Sequence, residues 1–168
     1  MICPSCGYEN MEGSDRCEEC MTPLYYLESR PDTAQGLARS VMEDNLSQLE
    51  QEFLGVAPDD SAADVVKRMN EARVGCALVL EGGRLVGIFT ERDVLNKLAG
   101  NLAQAQTTSV KDLMSADPEV LQESDSVATA LNKMSMGRYR HVPLKKADGT
   151  YAVTSIKHVL KYIAKEDW

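Results

Sequence analysis

Nothing in this sequence is apolar for long enough to cross a bilayer. Its apolar runs, CALVL and LVGIF, are strand-sized, against the roughly 18 residues a membrane helix requires. A basic excess is missing too: the formal net charge is −8 and the pI near 4.8, which excludes generic attraction to nucleic acid or an anionic membrane. The first residues, MICPSC, hold neither the basic nor the apolar region of a secretory signal, so a cytoplasmic protein is expected. Histidine is scarce. His141 and His158 are the only two, and neither has a cysteine at nucleophile spacing, so no catalytic pair can be assembled and no enzyme is expected. What is present is ordinary for a globular chain of 168 residues, 43% hydrophobic and 26% charged: one domain plus a small appendage.

The appendage is marked by cysteine. Cys3, Cys6, Cys17 and Cys20 form C-x2-C-x10-C-x2-C, while Cys76 stands alone beside an apolar strand and reads as buried packing. Without export, disulfides are not expected. Two close C-x2-C pairs suit a tetrahedral ion, each supplying two thiolates from a tight knuckle. The stretch has too few apolar residues to form a core, so an ion must supply its folding energy. Gly7 and Gly13 fit its turns. Over residues 1–23 it resembles the short zinc ribbons found at the ends of many prokaryotic proteins. CPSCGY also resembles a rubredoxin knuckle, but there the second pair lies much further along the chain, so structural zinc is favoured over iron. A closed four-cysteine shell leaves no position for catalysis. Residues 1–22 carry Glu9, Glu12, Asp15, Glu18 and Glu19 against Arg16, so a protein partner suits this face better than phosphate.

From Asp60 onward the chain repeats at an offset of 65 residues. Asp60-Ser61 falls on Asp125-Ser126, Met69 on Met134, Arg73 on Arg138 and Val94-Leu95 on Val159-Leu160. Ala62, Val65, Val66 and Met69 make a helical stripe, as do Val127, Ala130, Leu131 and Met134, with the Asp-Ser pairs as caps. Each helix precedes a hairpin, CALVL–EGGR–LVGIF or HVPLK–KADGT–YAVT, and then a second helix, near 91–99 or 156–164. Runs near Val56 and Val120-Leu121 supply a first strand. The unit is βαββα, and two copies packed together bury what one cannot.

The unit resembles the cystathionine-β-synthase (CBS) domain, and the tandem resembles the paired Bateman module, over roughly residues 46–165. RVGCALVLEGGRLVGIFTERDVL, VKDLMSADPEVLQESDSV and RYRHVPL carry the likeness. The expected fold is α+β: a zinc ribbon over 1–23, a helical connection over 24–45, a first CBS domain over 46–100 and a second over 101–168. The resemblance also implies a homodimer, formed through the helices of the pair.

Thr90-Glu91-Arg92-Asp93 fits a capping box, in which a hydroxyl and a carboxylate satisfy orphan amides. The same text, with Gly87 before it, resembles the family's Gly-x-x-Thr-x-x-Asp site for adenosine nucleotides. That resemblance puts Thr90 near phosphate and Asp93 on ribose, with Gly87 small so as not to obstruct the ligand. In the second copy the matching residues are Ala152, Ser155 and His158, and a histidine cannot offer two acceptors to a ribose. Occupancy of one site of two is expected. Residues 126–165 hold eight basic side chains against Asp148 alone, a local +7 that leaves −15 on the rest. Arg138, Arg140 and His141 are candidates for phosphate; the plainer alternative is a solvated basic face.

The expected function is a non-enzymatic sensor of an adenine nucleotide, AMP, ADP or ATP, with S-adenosylmethionine and NADH as other candidate ligands. The rivals are an interaction module without a ligand, a nucleic-acid binder using Lys145 and Lys146, and an iron redox protein. Met114, Met134 and Met136 read as core or dimer contacts. A helix entered at Pro31-Asp32-Thr33, with Leu37, Val41, Leu46 and Leu49 as its stripe, is expected in the connection.

Overall fold

The computed structural model describes residues 1–11, 14–24, 41–98, 100 and 104–164. The helix start expected at Pro31 and the last residue, Trp168, lie outside them. In chain order the elements are β1 (Leu54–Val56), α1 (Ala62–Ala72), β2 (Cys76–Glu81), β3 (Arg84–Thr90), α2 (Glu91–Lys97), β4 (Ser115–Ala116), β5 (Leu121–Gln122), α3 (Val127–Gly137), β6 (His141–Lys145), β7 (Tyr151–Ser155) and α4 (Ile156–Ala164). The βαββα unit therefore occurs twice, as the periodicity implies. Among the described residues no helix is long and apolar enough to cross a membrane.

In the first copy β1 pairs in parallel with β2, and β2 runs antiparallel to β3. The second copy repeats this with β5, β6 and β7. Gly82 and Gly83 turn the first hairpin with φ of 57° and 81°. A two-residue loop of this hand needs φ above zero at both positions, which glycine adopts without a Cβ penalty. One strand was not expected: β4, from the connection between copies, adds to the edge of β3 through Gly87↔Ala116 and Ile88↔Ser115.

Helix α1 buries Ala62, Val65 and Met69, and α3 buries Val127, Ala130 and Met134, the same i, i+3, i+7 set. Val66 and Leu131, also read from the stripe, pack at the margins of these cores. Both helices end at a left-handed arginine, Arg73 (φ 54°) and Arg138 (φ 53°), in the place glycine usually takes. The caps at the starts differ. Ser126 accepts from the Thr129 amide, whereas Ser61 makes no side-chain cap and its hydroxyl lies 3.4 Å from the Ala105 carbonyl.

Sequence repeats and spatial units do not coincide. One compact unit comprises Gln51–Val120; the other joins Met1–Glu50 to Leu121–Trp168. Residues 46–50, which open the first copy along the chain, thus belong in space with the second. Leu46 and Leu49, on a 3-10 turn, are buried with Val127, Val142, Leu144 and Val159. The Leu46 amide donates to Asp125 O at 2.9 Å, and the Val127 amide donates to Asp44 O at 3.1 Å. In the other unit Val110 is buried with Val65 and Phe89. There the Val110 amide donates to Asp60 O at 2.9 Å, and the Ala62 amide donates to Thr108 O, also at 2.9 Å. Each lead-in segment satisfies the helix start of the copy it does not precede, because those orphan amides need acceptors.

One buried polar group in the second copy is unsatisfied: Thr154 is fully buried, and among the described residues its hydroxyl has no hydrogen-bond partner. Desolvating a hydroxyl without compensation costs about 1–3 kcal/mol. Thr154→Val, which keeps the shape, is expected to stabilise the protein by roughly 1 kcal/mol; a denaturation midpoint unchanged or lowered by urea titration contradicts this.

Candidate functional site

The four-cysteine lobe is built from one motif used twice. The Gly7 amide donates to Cys3 O (2.9 Å) and the Cys3 amide to Tyr8 O (2.8 Å); the Met21 amide donates to Cys17 O (2.9 Å) and the Cys17 amide to Thr22 O (2.8 Å). Both turns need a left-handed residue. Gly7 supplies one at φ 73°, but the other is Met21 at φ 61°, which no sequence rule had marked. The four sulfurs converge: Cys3 and Cys20 Sγ are 3.6 Å apart, Cys6 and Cys17 Sγ 3.5 Å, and all lie within 4.8 Å of one another. A thiolate tetrahedron with metal–sulfur bonds near 2.3 Å needs sulfurs about 3.8 Å apart, so the cage fits an ion.

Groups around the cage fix it. Asn10, 4% exposed, turns its Nδ2 to Cys17 Sγ (3.6 Å) and to Tyr8 O (3.0 Å), while its Oδ1 accepts from the Glu18 amide (2.9 Å). One amide side chain thus ties the knuckles together. The Thr22 hydroxyl lies 3.1 Å from Cys20 Sγ. Burial alone would raise the Cys17 thiol, but the amides of Cys20 and Glu19, with Asn10 and Cys6, outweigh it and lower its pKa to about 6. Cys6 is pushed up to about 12, first by desolvation and then by its neighbouring thiols. The lone Cys76 is buried as expected, and desolvation followed by the Glu91 charge pushes it up to about 12, which disfavours the thiolate.

The lobe rests on α3. The Thr129 hydroxyl donates to Pro4 O at 3.1 Å, and Asn132 Nδ2 donates to Thr22 Oγ1 at 2.8 Å. Neither residue was singled out from the sequence.

The residues read as nucleotide ligands fall into two sets, one per unit. In Gln51–Val120, β3 delivers Thr90 to the start of α2, and a full capping box forms. Asp93 Oδ2 accepts from the Thr90 amide (2.9 Å) and hydroxyl (2.7 Å), and the Asp93 amide donates to Thr90 Oγ1 (3.4 Å). Asp93 is only 8% exposed. Its other oxygen faces Lys97 Nζ at 2.9 Å, and that ammonium also donates to Leu113 O. Lys97 lies one turn beyond Asp93, an i, i+4 pairing the sequence reading passed over. Gly87 lies against the connecting segment: a methyl group there would meet the flexible Met114 side chain, whose sulfur would have to shift.

In the other unit His141 stands opposite Ser155 in the β6–β7 register, and the Ile156 amide donates to Arg140 O at 2.8 Å. Ser155 Oγ is 2.6 Å from His158 Nδ1. The serine–histidine pair occupies the place of the Thr90–Asp93 box. Desolvation, then Lys157 and Lys161, lower the His158 pKa, which favours a neutral ring sharing one hydrogen bond with the serine hydroxyl. Arg138 is the left-handed cap of α3, and Arg140 is exposed. Structure therefore gathers Arg140, His141, Ser155 and His158 at one end of one hairpin.

Comparison with known proteins gives one answer throughout. The family model for the CBS domain matches residues 39–100 and 110–165. The CBS domain-containing protein CBSX3, mitochondrial, of Arabidopsis thaliana is 30% identical over 131 residues, which cover 75% of this chain and 64% of that protein. CBSCBSPB3 of the same plant is 30% identical over 97 residues, 58% of this chain and 17% of that one. The chain thus spans less than two thirds of either relative. Among solved structures, a CBS-domain protein of Agrobacterium tumefaciens is similar with a TM-score of 0.63 and 28% identity, covering 70% of this chain and 97% of that one. CBSX2, solved in complex with AMP, has a TM-score of 0.60 and 22% identity over 72% of this chain and 96% of its own. At that identity the likeness concerns the fold.

Proposed function

The chain belongs to the CBS-domain family, and from that premise we propose that it is a non-catalytic sensor binding an adenine nucleotide of the AMP, ADP or ATP kind at Thr90 and Asp93. The observation that carries this reading is the state of Asp93. It is a nearly buried carboxylate with one oxygen held by Thr90 and the other by a lysine that a ligand can displace. A ribose offers two hydroxyl donors to such an oxygen pair, and Thr90 offers a hydroxyl beside it. That CBSX2, a chain of similar fold, was solved in complex with AMP supports an adenine nucleotide as the ligand. Arg138, Arg140, His141, Ser155 and His158 form the second copy's counterpart, rich in donors suited to phosphate and short of a carboxylate for ribose.

Titration calorimetry with AMP, ADP, ATP, S-adenosylmethionine and NADH tests this directly. One of them is expected to bind, and Asp93→Asn to weaken it by about 10- to 100-fold, the worth of a charged hydrogen-bond acceptor. Silence with every titrant overturns the sensor in favour of a ligand-free interaction module.

The ion at Cys3, Cys6, Cys17 and Cys20 is assigned to zinc in a structural role, and elemental analysis separates it from iron. The lobe exposes Ile2, Met11 and Met21 beside its acidic side chains, which suits a protein partner. Leu95 and Leu160, equivalent in the repeat, are 68% and 52% exposed on α2 and α4, as helices that form a homodimer require. The nucleic-acid reading is weakened by Lys146, whose ammonium is already paired with Glu50 at 2.8 Å.

A further inference from the structure

The internal repeat provides its own control for what α3 does. On α1 the residues at positions 64, 67 and 71 are Asp64, Lys67 and Glu71, all exposed, with Lys67 and Glu71 paired at 3.9 Å. That is a solvated charged stripe. The equivalent residues of α3 are Thr129, Asn132 and Met136, with no charge among them. Both helices bury the same core set, so the core does not account for the difference.

At two of the three positions, Thr129 and Asn132, the four-cysteine lobe does, while Met136 stays 64% exposed. Thr129 reaches Pro4 in the first knuckle, and Asn132 reaches Thr22 in the second. One turn of one helix therefore spans both knuckles, and its two partners hold their spacing only while the knuckles are held together. The second contact continues inward: Asn132 Nδ2 donates to Thr22 Oγ1, whose hydroxyl lies against Cys20 Sγ. The first continues outward, since the Thr129 hydroxyl is 3.0 Å from Ser126 Oγ, the cap of α3. We infer that α3 of the second CBS repeat supplies the outer shell of the metal centre, so that ion occupancy and the order of the first turns of α3 are thermodynamically linked.

Linkage of this kind is reciprocal. Whatever stabilises the docked lobe raises ion affinity, and the ion in turn holds the cap of α3. Asn132 is a positioning residue: it touches no metal ligand and acts through Thr22.

The inference rests on the metal reading above, and the test separates the two. The full-length chain is loaded with cobalt(II), and its affinity is measured against a competing chelator. Asn132→Ala and Thr129→Val are each expected to lower affinity about three- to tenfold, the worth of one net hydrogen bond. Asn132→Ala should also shift the cobalt–thiolate absorption, and Asn132→Gln, which keeps the amide, should recover part of both effects. Lys67→Ala, the equivalent change on α1, should alter neither. In the reverse direction, removing the ion should speed hydrogen exchange in the first turns of α3 and leave α1 unchanged. Unaltered affinity and spectrum in both α3 variants, with the ion bound, overturn this inference alone. Failure of the wild-type chain to take up any ion overturns the metal reading and this inference with it.

Discussion

Cys17→Ser is expected to abolish the ordered structure of residues 1–24 and to reduce ion binding to background, while both CBS repeats stay folded. The lobe's own core consists of Cys3, Cys17 and Leu24, with Met1 and Cys20 at its edge. One buried leucine contributes about 2 kcal/mol, whereas fixing each backbone residue costs about 1–2 kcal/mol, so the cluster is far from self-sufficient. A structural ion of this type is worth about 10–16 kcal/mol of folding free energy. Cys17 is the most demanding of the four cysteines to replace, because it is fully buried and its sulfur receives the Asn10 amide. Limited proteolysis and hydrogen exchange read the result. Retained protection at the amides of Cys3 and Cys17, in the variant or after chelation, shows that packing against α3 alone holds the lobe, and refutes the prediction.

What the sequence disclosed and what it concealed divide along a physical line. Local, periodic information was legible: the knuckles from their spacing, α1 and α3 from a stripe of period 3.6, the hairpins from alternation around Gly82-Gly83 and Asp148-Gly149. Features that depend on which surfaces meet were not. Met21 takes the conformation that Gly7 takes because the knuckle geometry overrides an ordinary residue's preference, and nothing local to Met21 records this. The Met114 side chain, 27 residues later, folds over Gly87. Docking of the lobe on α3 did leave a trace. Aligning the two repeats and asking where charge disappears from an otherwise exposed stripe would have singled out Thr129 and Asn132. At Thr90 and Asp93 the two readings of one motif are not exclusive. The capping box is fully formed, and it is also what holds a carboxylate rigid near the surface.

The crossed lead-in segments make the remaining large prediction, since they assign each core a residue that the chain order gives to the other copy. Leu46 precedes the first repeat, yet it is fully buried among Val127, Val142, Leu144 and Val159. Leu46→Ala removes most of that side chain from a site whose backbone is held on both sides, by Leu46 N to Asp125 O and by Val127 N to Asp44 O, so the cavity cannot easily collapse. A loss of about 2–5 kcal/mol is expected, read from the urea midpoint. The location of the damage is the sharper readout. Hydrogen exchange should quicken in α3, β6 and α4, the elements of the second copy, and stay slow in β2 and β3. Val110→Ala should show the opposite pattern, because Val110 precedes the second repeat but is buried with Val65, Val79 and Phe89 of the first. If Leu46→Ala instead loosened β2 and β3, the lead-ins would belong to the copies they precede. Each copy would then fold around its own lead-in, and exchange would quicken in the elements that follow the substituted residue along the chain.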